Sequence, residues 1–316
     1  MSLHRFALLT AACTFVLLML GGFVHSSGSS LACPDWPLCY GQVFPRMEGG
    51  ILFEHSHRLL AAAVGVLTIV VTVLAWQKGA RDRTMRWLGV AALVLVVFQG
   101  VLGGITVLYR LPMAVSTSHL ATSMVFFGTV VAIALRARPG DAQARVTPST
   151  LTASPWIVAA GVAVYLQLVL GALVRHTGSA LACGDDPLLC GGVLFPAWGP
   201  AALQMTHRLA AYAVALLVVI AAIQMLRAAR GAGLTFLPRT AVLSLVVVVV
   251  QIGLGMYTVM TYVNPYVVTL HVGGGALLLG CMVSMWVTLR LGARAALVRV
   301  SERQPASDMS EAHAAS

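Results

Sequence analysis

Four histidines, His57, His119, His207 and His271, stand at corresponding places in the two halves of the chain. Glu54 precedes His57 by three residues, and an arginine directly follows the first and third histidines, as Arg58 and Arg208. Two cysteine pairs, Cys33 with Cys39 and Cys183 with Cys190, lie a short way ahead of those arginines. Imidazole both coordinates metals and titrates near neutrality, so the recurrence points to ligation or proton transfer. The surrounding sequence is strongly apolar, and ionisable residues kept in such surroundings mark functional sites by default.

The elements that must position these residues follow from composition. The chain has 316 residues, of which 59% are hydrophobic and only 9% charged, and its mean hydropathy is +0.89. A soluble domain carries about 25% charged residues, so the sequence predicts an integral membrane protein. Apolar stretches run near 6–24, 59–76, 87–109, 113–135, 156–174, 207–226, 240–263 and 266–289. Each is close to the ~20 residues a spanning helix needs, and none alternates as a membrane β-strand would. The expected class is an all-α membrane protein with eight transmembrane helices. The first span reads as a retained helix rather than a cleaved signal peptide, since no small-residue cleavage site directly follows it.

In a soluble protein a net charge of +10 would suggest nucleic acid, but here it reports topology. With the N-terminus inside, fifteen of the 20 Lys and Arg fall on the inner side, and only Arg46, Arg58, Arg110, Arg175 and Arg208 fall outside. Both termini are therefore expected in the cytoplasm, with membrane lipid and no nucleic acid as partner.

The chain also matches itself after a shift of about 150 residues. "GSSLACPDWPLCYGQVFPRMEGGILFEHSHRLLA" from Gly28 parallels "GSALACGDDPLLCGGVLFPAWGPAALQMTHRLAA" from Gly178. Further on, "FQGVLGGITVLYRLPMAVSTSHLA" from Phe98 parallels "VQIGLGMYTVMTYVNPYVVTLHVG" from Val250. The repeat pairs His57 with His207, His119 with His271, Gln99 with Gln251 and Gly103 with Gly255. It predicts two tandem, duplicated four-helix bundles in the same orientation. The bundles are expected over residues 1–140 and 141–297, with a disordered cytoplasmic tail over 298–316.

Each of the four histidines falls near the outside end of an even-numbered span. His119 lies six residues beyond Met113, about 9 Å along a helix. A lone histidine in a helix is usually a satisfied core residue, but four repeat-related copies at one depth favour a site. Zinc would want further ligands, and no carboxylate or thiolate repeats beside both pairs. A proton relay would want acidic groups strung across the bilayer. Two imidazoles on facing helices suit the axial positions of haem iron. Gly273, Gly274, Gly275 and Ala121 flank the ligands, which suits close approach of a macrocycle and equally suits helix packing. His25 and His176 are loop histidines outside this ligand set.

The remaining polar residues are open between two readings each. Arg58 and Arg208 suit haem propionates or membrane-interface snorkelling. Glu54 lies one turn outward from His57 on the same face, where it complements the helix dipole or moves a proton. Its repeat partner is Gln204, which cannot act as a base, and His55 is replaced by Met205. The cysteine pairs, on the oxidising side, read as disulfides Cys33–Cys39 and Cys183–Cys190, with zinc as the rival. Because the histidines spread laterally at one depth, electron transfer across the bilayer is disfavoured.

With these residues together the chain resembles the haem A synthase family from Phe6 to Arg290. The resemblance rests on the repeat, the cysteine pairs, "EHSHR" at 54–58, "TSHLAT" at 117–122, "MTHRLAAY" at 205–212 and "TLHVGGGALLLG" at 269–280. It implies conversion of haem O to haem A by oxidation of a porphyrin methyl to a formyl. It implies a haem b on His207 and His271, with substrate haem O between His57 and His119 and Glu54 as catalytic carboxylate. Cys33–Cys39 becomes the candidate for redox participation, and Cys183–Cys190 structural. A haem O synthase upstream, cytochrome oxidase assembly downstream and an electron acceptor, with a quinone as one candidate, complete the expected partners. The expected location is a bacterial cytoplasmic membrane. The rival readings are a diheme b-type cytochrome linked to quinol and a non-enzymatic haem carrier.

Overall fold

The structure, a computed structural model, describes residues 2–78, 82–138, 148–230 and 235–303. Eight helices among these are long and apolar enough to cross a membrane. They are α1 (Leu3–Ser26), α2 (Gly49–Lys78), α3 (Arg83–Leu108), α4 (Met113–Arg136), α6 (Ser154–His176), α7 (Gly199–Ala228), α8 (Phe236–Met260) and α9 (Pro265–Arg303). A single turn, α5 (Pro148–Leu151), precedes α6. The shortest span, α6, has 23 residues, enough for about 34 Å at 1.5 Å per residue and so for a ~30 Å hydrocarbon core. Of the tail expected to be disordered over 298–316, residues 298–303 instead continue α9 as helix, and residues 304–316 lie outside the described residues.

The helices pack as two rings. In the first, α1 meets α2, α2 meets α3, α3 meets α4 and α4 returns to α1. In the second, α6, α7, α8 and α9 close in the same order. The rings join through α1 on α9, α4 on α6 and α4 on α9. Exchanging α1 with α6, α2 with α7, α3 with α8 and α4 with α9 maps this scheme onto itself. The seam is apolar, with Leu18, Met124 and Phe127 of the first ring packed into the buried core of the second. On the outer faces large apolar side chains stay exposed, among them Val66, Val94 and Val249, as contact with hydrocarbon requires.

Connections at one end repeat closely. After α3 the chain turns through Arg110 and Leu111 at φ 57° and 61°, and after α8 through Tyr262 and Val263 at 51° and 64°. Leu111 N donates to Thr106 O at 2.7 Å, and Val263 N to Thr258 O at 2.8 Å, closing both helix ends alike. At the opposite end Asp82 caps α3 by accepting from Met85 N and takes a fork from Arg136, whose Nε and Nη2 donate at 2.6 and 2.8 Å. That guanidinium holds the Asp82 carboxyl below the usual carboxylate range.

Helices α2 and α7 have 30 residues each and begin at Gly49 and Gly199, well before the apolar runs expected from 59 and 207. One turn further on, Glu54 and Gln204 are tied to the cysteine loops instead of facing hydrocarbon. Glu54, His55, Gln204 and Met205 are accordingly only 1–4% exposed.

Candidate functional site

One cavity of about 740 Å³ is lined by all four histidines. His57 and His207 are each the ninth residue of their helices, α2 and α7. His119 and His271 are each the seventh residue of α4 and α9. Each ring faces a glycine on the neighbouring helix. A Cβ at Gly21 would lie 3.1 Å from His57 Nε2, at Gly103 3.6 Å from His119 Cε1, at Gly171 3.0 Å from His207 Cε1 and at Gly255 3.3 Å from His271 Cε1. Gly21 and Gly171 are repeat partners, as are Gly103 and Gly255, so the histidine seat is built the same way four times.

The glycines singled out beside His271 do something else. Gly273 faces Met19 of α1, Gly274 the Gln251 amide of α8 and Gly275 Leu168 of α6. They let α9 approach its neighbours closely, which is the helix-packing reading.

Glutamines brace the rings unevenly. Gln167 Nε2 donates to the His207 carbonyl at 2.8 Å and lies 3.0 Å from His207 Nδ1. The repeat partner of Gln167 is Leu17, so His57 has no such brace. Gln251 donates to the His271 carbonyl at 2.8 Å, whereas Gln99 donates to Thr122 Oγ1.

Above the rings the cysteine loops are tied to the starts of α2 and α7. Cys33 and Cys39 are disulfide-bonded, as are Cys183 and Cys190, and each second cysteine bridges to a residue three further on, Gln42 or Val193. Glu54 Oε2 accepts from Cys33 N at 2.7 Å and Oε1 from Arg58 Nη2 at 2.6 Å. In the other half Gln204 Oε1 accepts from Cys183 N at 2.8 Å, while its Nε2 donates to Ala180 O at 2.5 Å. The same backbone tether therefore uses an ionisable group in one half and an amide in the other. Trp36 of the first loop lies flat enough on α3 that a Cβ at Gly104 would come within 3.0 Å of its ring.

Arg58 spends its donors on this loop, giving Nη1 to Asp35 O at 2.7 Å and Leu38 O at 2.5 Å, and Nη2 to Cys33 O at 3.2 Å besides Glu54. Arg208 gives Nη1 to Asp186 O at 2.8 Å, but its Nη2 is buried with no partner. Backbone donation from Gly41 and Tyr40 holds the Asp35 carboxyl below its ordinary range, and Leu189 and Leu188 do the same for Asp186.

His55 gathers with Cys33 and Cys39 within 4.8 Å, a grouping of metal-ligand types. The two sulfurs are bonded to each other, so the cluster offers one imidazole and is not a zinc centre. His55 Nε2 contacts Val43 O at 2.8 Å, and Met205 takes its place beside the other disulfide.

Three side chains outside the expected ligand set also line the cavity: His25, Arg175 and His176. They come from the ends of α1 and α6 and meet at the seam between the rings. Their signal in the sequence was the GSxLAC register, which pairs His25 with Arg175.

These residues fit iron porphyrin. Paired imidazoles face glycines that leave room beside the ring, and the cavity falls within the ~300–1,000 Å³ of small-molecule sites. Buried polar atoms without a partner include Nδ1 of His119 and His271, Nη2 of Arg208 and Nε of Arg175, and all four residues line this cavity. Buried polar groups are normally satisfied, so a ligand with a metal centre and anionic arms suits the wall.

A family model described as Cytochrome oxidase assembly protein matches residues 4–283. The chain is 30% identical over 277 residues to a protein named Heme A synthase from Halalkalibacterium halodurans, covering 85% of this chain and 91% of that one. It is 29% identical over 305 residues to one of the same name from Geobacillus kaustophilus, covering 95% of both. A third, from Symbiobacterium thermophilum, is 30% identical over 284 residues, covering 86% of this chain and 90% of that relative.

Proposed function

This chain belongs to the haem A synthase family, and we propose that it oxidises the methyl group of haem O to a formyl, giving haem A for terminal oxidases. The observation that carries the reading is the fourfold histidine–glycine seat on one cavity, with a carboxylate, Glu54, in only one half. Residues 1–140 form the substrate half and residues 141–297 the cofactor half. His57 and His119 hold the iron of haem O, and His207 and His271 hold a haem b. The bracing of His207 by Gln167, with Leu17 at the matching place, supports this order: a permanent group wants a fixed ligand, and a substrate must leave.

The haem on His207 and His271 supplies one-electron redox chemistry when bound. Everything else is done by side chains. His57 and His119 orient the substrate's plane across the first ring. Glu54, one turn outward from His57, takes a proton as the methyl carbon is oxidised, and Arg58 keeps the carboxylate aimed. Gln204 has no such capacity. Trp36 and the first cysteine loop limit access of water from the loop end. Glu54 accepts from the backbone N–H of Cys33, and Cys33–Cys39 is the disulfide we place beside the chemistry, leaving Cys183–Cys190 as structural. Arg208, with a free Nη2, is a propionate partner, and Arg58 reaches that role only by giving up a loop carbonyl.

The loop end faces outside a bacterial cytoplasmic membrane, with both termini inside, as the distribution of Lys and Arg supports. Haem O arrives from its synthase, haem A leaves toward cytochrome oxidase assembly, and electrons pass to an acceptor for which a quinone is one candidate.

Glu54→Gln is the sharpest test, because Gln204 shows that an amide keeps the tether to the cysteine loop. The variant should retain its haem b while haem A output falls by about 10²-fold or more and haem O or a hydroxylated product accumulates. Normal haem A output from Glu54→Gln would remove Glu54 from the chemistry.

A further inference from the structure

His25 and Arg175 hold equivalent places in the repeat, each three residues before the glycine of GSxLAC. They also touch, since Arg175 Nη2 donates to the His25 carbonyl at 3.2 Å. Two positions exchanged by a two-fold relation can meet only beside its axis. The contact therefore marks the axis between the rings, and the cavity wall there belongs to both halves. His176 joins it, its ring edge-on to His25 with centroids 4.6 Å apart.

The same residues are tied in register to the histidine seats. His25 lies four residues after Gly21, and Arg175 four after Gly171, the glycines that face His57 and His207. One helical turn puts each about 6 Å nearer the loop end on the same helix face. A flat group centred between the axial histidines of either half thus has this cluster on its seam-side, loop-side flank.

The cluster has an uncompensated cation. No ion pair among the described residues involves Arg175; those present join Arg46 to Glu48, Arg58 to Glu54 and Arg136 to Asp82. Arg175 Nε is buried without a partner. Among the described residues the one carboxylate on the cavity wall, Glu54, is already held by Arg58 and the Cys33 N–H. A half-buried guanidinium with a buried, unpartnered Nε gains from an anion that completes it, and its planar fork matches a carboxylate.

We infer that Arg175, flanked by His25 and His176, is a carboxylate site on the axis of the molecule, shared by the two chambers, that takes propionate groups of the bound porphyrins. This rests on the reading of the chambers as haem sites. It assigns anchoring to a residue of the seam rather than only to Arg58 and Arg208. It also gives the two halves a common anchor.

The test removes the carboxylates from the ligand as well as the guanidinium from the protein. Full-length protein is loaded with ferric haem b or with its dimethyl ester, and release of each to a haem-scavenging apoprotein is timed by absorbance. Wild-type protein should release the ester at least about tenfold faster than the acid, and Arg175→Gln should shrink that ratio about fivefold or more. Arg175→Lys, which keeps the charge and loses the fork, should give an intermediate ratio and serves if the Gln variant does not fold. A wild-type ratio near one, or an Arg175→Gln protein that releases both ligands faster by the same factor, would overturn the inference. Wild-type protein that takes up neither porphyrin would instead overturn the haem reading, and the inference with it.

Discussion

At the residue scale, the chain distinguishes two chambers by what stands behind each histidine. Gln167 reaches both the carbonyl and Nδ1 of His207, and among the described residues nothing comparable reaches His57. Partners behind a ligating imidazole fix its orientation, and losing one typically costs about 10–100-fold in affinity. Gln167→Leu, which copies Leu17 of the first half, should therefore weaken haem b retention by about that factor and leave binding in the His57/His119 chamber unchanged. Spectral titration of the purified protein separates the two. The four histidines were legible in the sequence because the repeat multiplied one weak signal by four. Gln167 was not, since a brace present in only one half leaves no internal match.

At the element scale, the glycine that faces each histidine sets how closely neighbouring helices approach at the site. The four distances grade the effect of adding a methyl group. Gly171→Ala would push a Cβ to 3.0 Å from the His207 ring, and the ring must yield, whereas Gly103→Ala meets His119 at an ordinary 3.6 Å. We expect Gly171→Ala to lose most of its haem b and Gly103→Ala to keep near-normal occupancy of both chambers, measured as haem per chain. Equal behaviour of the two variants would contradict the seat as described. Helix number was readable from hydropathy, and the repeat picked out the four histidines that line the cavity. The early starts of α2 and α7 were not, because Gly49–Gly50 and Gly199–Pro200 are poor helix formers and the polar Glu54 and Gln204 that follow are tied to the cysteine loops, which leaves no apolar signature. Glycines within a spanning helix read as packing residues in general, and only coordinates distinguish Gly171, against an imidazole, from Gly273, against Met19.

At the scale of the whole molecule, two rings of four helices related by one exchange line one cavity with two non-identical sets of residues. The shared scaffold is the histidines, their glycines and the loop tether, and the differences are Glu54 against Gln204, His55 against Met205 and Leu17 against Gln167. Such a division is what an enzyme needs when one haem is kept and another is changed. The sequence carried both the symmetry and the first two differences, but the seam of His25, Arg175 and His176 became visible only when the rings were set side by side. Separating the haems extracted from the purified full-length protein tests the central claim most directly. The account predicts haem O or haem A together with haem b. Haem b alone, at two per chain, would contradict it and make the protein a diheme cytochrome.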